Sequence, residues 1–92
     1  MQVILEKRLT SSEKERHWVI VPSVSRKHFP TPDVIFTITV FNKRSQTYID
    51  RYNRLRLGAR IFDKLGLDEP GSSIVIGKNP DGIYVLRKSK KR

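Results

Sequence analysis

Short apolar segments separated by turn residues constrain this chain more than any other feature of its sequence. Seven such segments, each long enough for one strand, follow one another within 92 residues. A parallel pair of strands needs a crossover connection of about a dozen residues, and the chain has no room for several of them. The sequence therefore predicts a mainly β domain in the form of an antiparallel barrel or sandwich.

The clearest strand is predicted over residues 34–41, whose alternate apolar residues fall on one face. A turn over residues 42–45 and a returning strand over residues 46–52 would make a hairpin with it. A second hairpin is predicted at the end of the chain, with its turn over residues 78–82. The other predicted strands are residues 3–9, 18–21, 55–57, 72–77 and 83–87.

Two short helices are predicted between these strands, over residues 24–28 and 59–65. Ser23 is expected to cap the first helix. In the second helix the apolar residues share one stripe, and Gly66 suits the left-handed position that follows a helix end. Residues 10–17 are polar throughout and are predicted to be a loop.

The charge of the chain predicts a polyanionic partner. It has 19 Lys and Arg residues against 9 Asp and Glu residues, a net charge of +10. Five of the cationic residues lie in residues 87–92, which are predicted to be a basic tail, and residues 1–86, predicted to be one domain, retain a net charge of +5. A basic domain of this kind has nucleic acid as its default partner.

Several classes of protein are excluded or disfavoured by composition. The chain has no cysteine, which rules out a disulfide framework, a zinc finger and thiol catalysis. His17 and His28 show no metal-ligand spacing, so no metal or cofactor is expected. No segment approaches the roughly 18 apolar residues of a membrane span, so no membrane partner is expected either.

Three motifs in the first third of the chain carry a family resemblance. Leu-Thr-Ser-Ser-Glu at residues 9–13, Val-Ile-Val-Pro at residues 19–22 and Arg-Lys-His-Phe-Pro at residues 26–30 resemble the opening of the plant B-three DNA-binding domain. The second half is similar to that family at the spacing of its glycine, phenylalanine and leucine positions, which are Gly58, Phe62, Leu67 and Gly71 here. The resemblance covers about residues 5–86.

Two departures place the chain closer to the prokaryotic relatives of that family. Ala59 stands where the plant domains usually carry tryptophan, and Ser72 where they carry aspartate. The prokaryotic relatives are the DNA-recognition, or effector, domains of some restriction endonucleases. The resemblance implies an open seven-stranded antiparallel pseudobarrel with two short helices, which agrees with the independent count of strands.

The resemblance also implies two arms that enter the DNA major groove. By position, the first arm is residues 10–17 and the second is residues 51–54, extending to Arg56. Arginine can form paired hydrogen bonds with a guanine edge, and asparagine with an adenine edge. The residues expected to contact bases are Arg16, Arg51, Asn53 and Arg54.

The remaining polar and basic residues of this region receive other expected roles. Glu13, Glu15 and Asp50 either accept from cytosine amino groups or orient neighbouring arginines, and the second role is favoured. Trp18 is expected to pack rather than to stack on a base, and His28 is expected to lie at a helix end. The other arm residues are Thr10, Ser11, Ser12, Lys14, His17, Tyr52 and Arg56. The residues expected to contact phosphates are Lys7, Arg8, Lys43 and Arg44.

The sequence thus predicts a non-catalytic, monomeric module for sequence-specific binding of double-stranded DNA, without a small-molecule substrate. It would be the target-recognition domain of a restriction endonuclease or a transcription factor, located with the nucleoid in the cytoplasm or in a nucleus. A swapped-hairpin dimeric transcription regulator is one alternative, because residues 57–86 also resemble that pattern. An RNA-binding basic barrel is another. A nuclease is disfavoured because no paired carboxylates are followed by a lysine in the arrangement of a metal-dependent site.

Overall fold

Strand pairing divides the fold into two sheets, and the computed structural model describes residues 1–89. The structure is mainly β, with seven strands and three short helices in that part of the chain. The strands are β1 (Gln2–Arg8), β2 (Trp18–Ile20), β3 (Phe36–Val40), β4 (Lys43–Thr47), β5 (Arg54–Arg56), β6 (Ser73–Lys78) and β7 (Tyr84–Lys88). The helices are α1 (Ser11–Arg16), α2 (Ser23–Arg26) and α3 (Ala59–Leu65).

The larger sheet has five strands in the order β1, β6, β7, β3, β4. Its strands are antiparallel except for β3 and β7, which run parallel and pair Ile38 with Tyr84 and Thr39 with Val85. The prediction of an all-antiparallel arrangement is therefore wrong at this pair. The connection between β3 and β7 contains β4, β5, α3 and β6, which is long enough to return the chain in the same direction.

The smaller sheet is a ribbon of β2 and β5, paired antiparallel over three residue pairs. Its central pair, Val19 and Leu55, is fully buried. Because side chains alternate across a strand, the flanking pairs, Trp18 with Arg56 and Ile20 with Arg54, lie on the opposite, outer face. The two sheets do not close into a barrel.

The core lies between the sheets and α3. The fully buried side chains include Ile38 of β3, Ile76 of β6 and Phe62 of α3, so each of these elements contributes to one cluster. At one edge of the core the Phe29 and Tyr84 rings stack with their centroids 5.4 Å apart. The phenolic hydroxyl of Tyr84 donates to the backbone carbonyl of His28 at 2.8 Å, which ties the end of α2 to β7.

The helix predicted over residues 59–65 is confirmed with the same bounds. Gly66 follows it in the left-handed conformation, with φ of 65°. The N–H of Gly66 donates to Asp63 and the N–H of Leu67 donates to Phe62, which is the Schellman pattern of hydrogen bonds. The predicted C-terminal cap is therefore confirmed as well.

The first hairpin forms, but with a tighter turn than the sequence suggests. Phe41 and Asn42 both have positive φ, 50° and 63°, and Val40 pairs directly with Lys43. A two-residue turn of this kind matches the twist of the flanking strands. The predicted turn over residues 42–45 is therefore wrong, and the returning strand β4 occupies Lys43–Thr47 rather than residues 46–52.

Residues 10–17 were predicted to be a loop, and this is wrong because residues 11–16 form α1. Thr10 caps the helix: its hydroxyl accepts from the N–H of Glu13 at 3.2 Å, and the Glu13 carboxylate accepts from the N–H of Thr10 at 2.8 Å. This reciprocal pair is a capping box. The count of two helices is accordingly too low.

In α2, Ser23 lies inside the helix and Pro22 takes the capping position, so the predicted Ser23 cap is wrong.

Glu13 also ties α1 to the two strands on either side of it, although its side chain is almost fully buried. One carboxylate oxygen accepts from the Lys7 ammonium group at 2.8 Å and from the N–H of Ile20 at 2.7 Å. Burial alone would raise the pKa of this carboxyl, but the hydrogen bonds from Lys7, Thr10 and Ile20 outweigh it and lower the pKa. The first arm is therefore fixed to the sheet by an ionised, buried group.

The predicted basic tail is partly strand. Arg87 and Lys88 belong to β7, and the N–H of Ser89 donates to the carbonyl of Ser73 at 2.7 Å. Residues 90–92 lie outside the described residues. Within residues 1–89, no helix has the length and apolar character needed to cross a bilayer.

Replacing Glu13 with glutamine should lower the free energy of unfolding at pH 7 by about 2 kcal/mol, because the Lys7 ammonium group loses its buried partner. The ionised carboxylate stabilises the fold above about pH 4.5, its ordinary value, and this contribution disappears as the pH falls below it. Urea unfolding followed by the fluorescence of the single tryptophan measures both effects. Glu15→Gln, an exposed change in the same helix, is the control. An equal effect of the two substitutions would contradict the assigned role of Glu13.

Candidate nucleic-acid interface

The β2–β5 ribbon connects the two predicted arms. The first arm, residues 10–17, contains α1 and leads into the start of β2, and the second arm, residues 51–54, begins in the turn over residues 50–53 and enters the start of β5. Because β2 and β5 are antiparallel, the arms lie at opposite ends of the ribbon, separated along it by about 7 Å. The N–H of Val21 donates to the carbonyl of Asn53 at 2.8 Å and holds the second arm in place.

Trp18 lies between the arms with arginines around its ring. The guanidinium carbon of Arg54 lies 4.4 Å from the centre of the Trp18 ring, that of Arg56 lies 4.9 Å away, and that of Arg16 lies 5.9 Å away. Arg54 also lies 4.9 Å from the centre of the Tyr52 ring. These are cation–π distances. The indole ring of Trp18 therefore has guanidinium groups from the first arm and from β5 close to it, on the outer face of the β2–β5 ribbon.

Asp50 organises the second arm from below the surface. It is 7% exposed, and one of its oxygens accepts from the backbone N–H groups of Tyr52 and Arg54 at 2.9 and 3.1 Å. The other oxygen accepts from the Nε atoms of Arg54 and Arg56 at 2.7 and 3.1 Å. An aspartate that bonds the backbone two residues onward forms an Asx turn. Asp50 therefore restrains the backbone of the turn and also the side chains of Arg54 and Arg56 at their Nε atoms.

The Asp50 carboxylate remains ionised in this position. Burial by itself raises the pKa of an aspartate, but the hydrogen bonds from the N–H of Arg54, from the guanidinium groups of Arg54 and Arg56 and from the N–H of Tyr52 together lower the pKa of Asp50 below its ordinary value. The expectation that this carboxylate orients neighbouring arginines agrees with the contacts of Asp50.

The outer ends of Arg54 and Arg56 remain open to a ligand. Only their Nε atoms bond Asp50, and within residues 1–89 their Nη groups donate to no protein acceptor. The side chain of Arg54 is 25% exposed and that of Arg56 is 39% exposed. Each guanidinium group is thus bonded to Asp50 through Nε, while its Nη groups can still donate to a ligand.

The tip of the second arm carries two more predicted residues. The Arg51 side chain is 75% exposed, and its only ion pair among the described residues is a long one, 3.9 Å to Asp33. Asn53 is half-buried and has φ of 62°, a left-handed conformation that asparagine tolerates. Its N–H donates to the carbonyl of Asp50 and closes the turn. Arg51 is therefore free to reach a ligand, whereas Asn53 also shapes the turn.

The first arm divides into residues with structural partners and residues that face solvent. The Lys14 ammonium group donates to the carbonyl of Glu69 at 2.8 Å. His17 ends α1 in the left-handed conformation, and its ring meets the edge of Phe62 at 5.3 Å. Thr10 uses its hydroxyl for the helix cap. The exposed residues of the arm are Thr10, Ser11, Ser12, Glu15 and Arg16.

The predicted phosphate contacts are spread over the molecule. Lys7 bonds Glu13 and the carbonyl of Ile20, so the structure places its charge in an internal ion pair. Arg8 is exposed at the end of β1, close to the start of α1. Lys43 and Arg44 are exposed at the start of β4, which is the end of that strand far from the second arm. Of the four, only Arg8 is both exposed and beside an arm.

Sequence reasoning underestimated Trp18. It packs, as expected, but its partners are the guanidinium groups of Arg16, Arg54 and Arg56, and it remains partly exposed. The alternation within β2 could have indicated that Trp18 and Ile20 share the face opposite Val19. The contact with arginines depends on the pairing of β2 with β5, which local patterns do not specify.

Among residues 1–89, no group of three or more histidine, aspartate or glutamate side chains is arranged to hold a metal ion. A scan of protein-family models, a search of curated proteins and a search of solved structures each find no match to this chain. The family resemblance therefore depends on the motifs in the sequence itself.

Replacing Asp50 with asparagine should lower the free energy of unfolding by about 2 kcal/mol at pH 7. Asparagine has one accepting oxygen instead of two, so its NH2 group would face either the two backbone N–H groups or the two Nε–H groups, which are donors as well. The difference from the unchanged protein should shrink as the pH falls below about 3.8, the ordinary pKa of the carboxyl, because the unfolded chain then takes up a proton that the native carboxylate, with its lowered pKa, does not yet bind. Asp33→Asn, an exposed change at another position with positive φ, should alter stability by less than about 0.5 kcal/mol. Urea unfolding of the two variants side by side measures the difference, and equal stabilities would contradict the role given to Asp50.

Proposed function

We propose that this chain is a non-catalytic module that binds double-stranded DNA in a sequence-specific manner. In this proposal the five-stranded sheet and the β2–β5 ribbon correspond to the open pseudobarrel of the B-three family. Its two arms, residues 10–17 with helix α1 and residues 51–54 with their extension to Arg56, enter the major groove. The observation that carries the proposal is the gathering of Arg16, Arg54 and Arg56 around Trp18 on the outer face between the arms.

The chemistry of this face suits the edges of base pairs. The major groove is about 12 Å wide and admits a helix or a two-stranded ribbon, and it presents a different set of donors and acceptors for each base pair. Arginine donors complement the acceptors of guanine. Of the charged groups around Trp18, the one carboxylate that bonds Arg54 and Arg56 within the described residues is Asp50, and it is buried. The face therefore offers a surplus of hydrogen-bond donors.

The rest of the positive charge supports binding without reading sequence. The net charge of +10 attracts the phosphate backbone, and exposed cations such as Arg8, Lys43 and Arg44 can bond phosphates along the duplex. In this assignment the arms determine which site is preferred, and the remaining cations determine how strongly affinity depends on salt. The chain would act as the recognition domain of a restriction endonuclease or as a transcription factor.

Two observations favour this proposal over the other DNA-binding and RNA-binding interpretations. Both edges of the β6–β7 hairpin are paired within the same chain, to β1 and to β3, so a hairpin exchanged between two chains is not needed to complete the sheet. The Trp18 ring already has guanidinium groups at 4.4 and 4.9 Å, which compete with the base stacking that single-stranded nucleic acid favours. A self-contained monomer that reads a duplex agrees with both.

Selection from a library of random DNA duplexes at a stated salt concentration, followed by sequencing, tests the proposal. The expected result is an enriched short motif, which competes better than single-stranded DNA or double-stranded RNA. A library that remains unenriched after several rounds would contradict sequence-specific recognition.

Replacing Arg51 with alanine should weaken binding to the selected duplex by about 1–3 kcal/mol and weaken binding to a random duplex less. Lys43→Ala is the matched comparison on a residue far from the arms. It should weaken binding to both duplexes equally and reduce the slope of log K against log salt by about one. Fluorescence anisotropy across a salt series measures both variants. Equal losses on the two duplexes for Arg51→Ala would reassign that residue to a phosphate contact.

A further inference from the structure

Building on the proposed function, we infer that Arg54 and Arg56 are preorganised to read two guanines on neighbouring base pairs, meaning base pairs that are adjacent or one step further apart. Asp50 and Trp18 would then be the positioning residues of this pair. The inference depends on how these four side chains constrain one another, and it names a class of target that the proposed function leaves open.

Each of the two guanidinium groups is restrained in two ways. The Nε atoms of Arg54 and Arg56 donate to the same oxygen of Asp50, at 2.7 and 3.1 Å. Their guanidinium carbons lie 4.4 and 4.9 Å from the centre of the Trp18 ring. A hydrogen bond at Nε restricts rotation about the last bonds of the side chain, and the ring restricts the position of the planar group. Little conformational freedom then remains to be lost on binding, and loss of such freedom is a main cost of association.

The groups that remain available match guanine. With Nε bonded to Asp50, the outer edge of each guanidinium group consists of Nη1 and Nη2, which have no protein acceptor within residues 1–89. Two parallel N–H donors on a planar group fit the O6 and N7 acceptors of guanine in the major groove. Adenine places a donor where guanine has O6, so the same edge disfavours adenine.

The spacing of the two arginines limits the spacing of the guanines. Because both Nε atoms bond one oxygen, they lie no more than about 6 Å apart. Successive base pairs are stacked about 3.4 Å apart along each strand. Two guanidinium groups held this closely can reach adjacent base pairs or base pairs one step further apart, but not distant ones. The target is therefore a duplex that contains a closely spaced pair of guanines.

The test uses the duplex selected by the unchanged protein, with each guanine replaced in turn by 7-deazaguanine. This base retains Watson–Crick pairing but lacks the N7 acceptor. The affinity of the unchanged protein should fall by about tenfold at two neighbouring positions. The variants Arg54→Lys and Arg56→Lys retain the positive charge but lose the paired Nη donors. Their affinity for the unmodified site should already be lower than that of the unchanged protein. The same base replacement should then cost less than about threefold at the position that the substituted arginine reads, as a double-mutant cycle requires.

Asp50→Asn tests the positioning role separately. It should reduce the preference for guanine over adenine at these two positions by about tenfold, while affinity for a random duplex changes by less than about threefold. A merely structural role for Asp50 would lower both affinities together. Arg60→Lys, an exposed change on α3, is the control and should leave both affinities and the base preference unchanged.

The outcomes separate this inference from the proposed function. An enriched motif without closely spaced guanines, or one insensitive to 7-deazaguanine, would overturn the inference and leave sequence-specific binding intact. Base replacements that cost the lysine variants as much as the unchanged protein would also overturn it. Failure to enrich any motif would instead contradict the proposed function.

Discussion

The pairing of β2 with β5 is the constraint on which the candidate interface depends. Three residue pairs make up this ribbon, and its central pair, Val19 and Leu55, is fully buried in the core. Burial of that pair fixes the register, because a shift of one strand by one residue would turn its own outer residues inward, Trp18 if β2 shifted or Arg54 if β5 shifted. With the register fixed, the ends of the ribbon place α1 and the turn over residues 50–53 on either side of one exposed face.

Two buried carboxylates, one for each arm, keep the arms in place. Glu13 bonds backbone and ammonium groups of α1, β1 and β2, and Asp50 bonds the backbone of its own turn together with two arginines of β5. Burying a carboxylate is costly unless hydrogen bonds compensate for the lost water, and both have lowered pKa values for that reason. The Glu13 and Asp50 carboxylates are thus turned inward, while Glu15 is exposed and Arg16 and Arg51 lie at the surface.

The parts of the fold that could be predicted from the sequence are those with local signals. Helix α3, with its apolar stripe and Gly66 cap, and the two β-hairpins belong to this group. Helix α1 has a local signal too, the capping box of Thr10 and Glu13, but it lacks an apolar stripe because a single carboxylate attaches it to the core. The parallel pairing of β3 with β7 and the contacts of Trp18 with Arg54 and Arg56 join residues far apart in the chain, and no pattern within a strand specifies them. For the same reason the sequence indicated candidate DNA contacts by residue type, but it could not distinguish Arg51, which is exposed, from Lys7, which is bonded to Glu13.

Under the proposed function, the face between the two arms is the surface that contacts duplex DNA. Chemical-shift mapping by NMR tests it most directly, by titrating the isotopically labelled protein with a selected duplex. If that face binds the duplex, the largest shifts are expected at the Trp18 indole N–H, at the Nε–H groups of Arg54 and Arg56, and at the backbone of residues 10–17 and 50–56. Shifts concentrated instead at the β3–β4 hairpin or on β7, with the Trp18 signal unchanged, would contradict it.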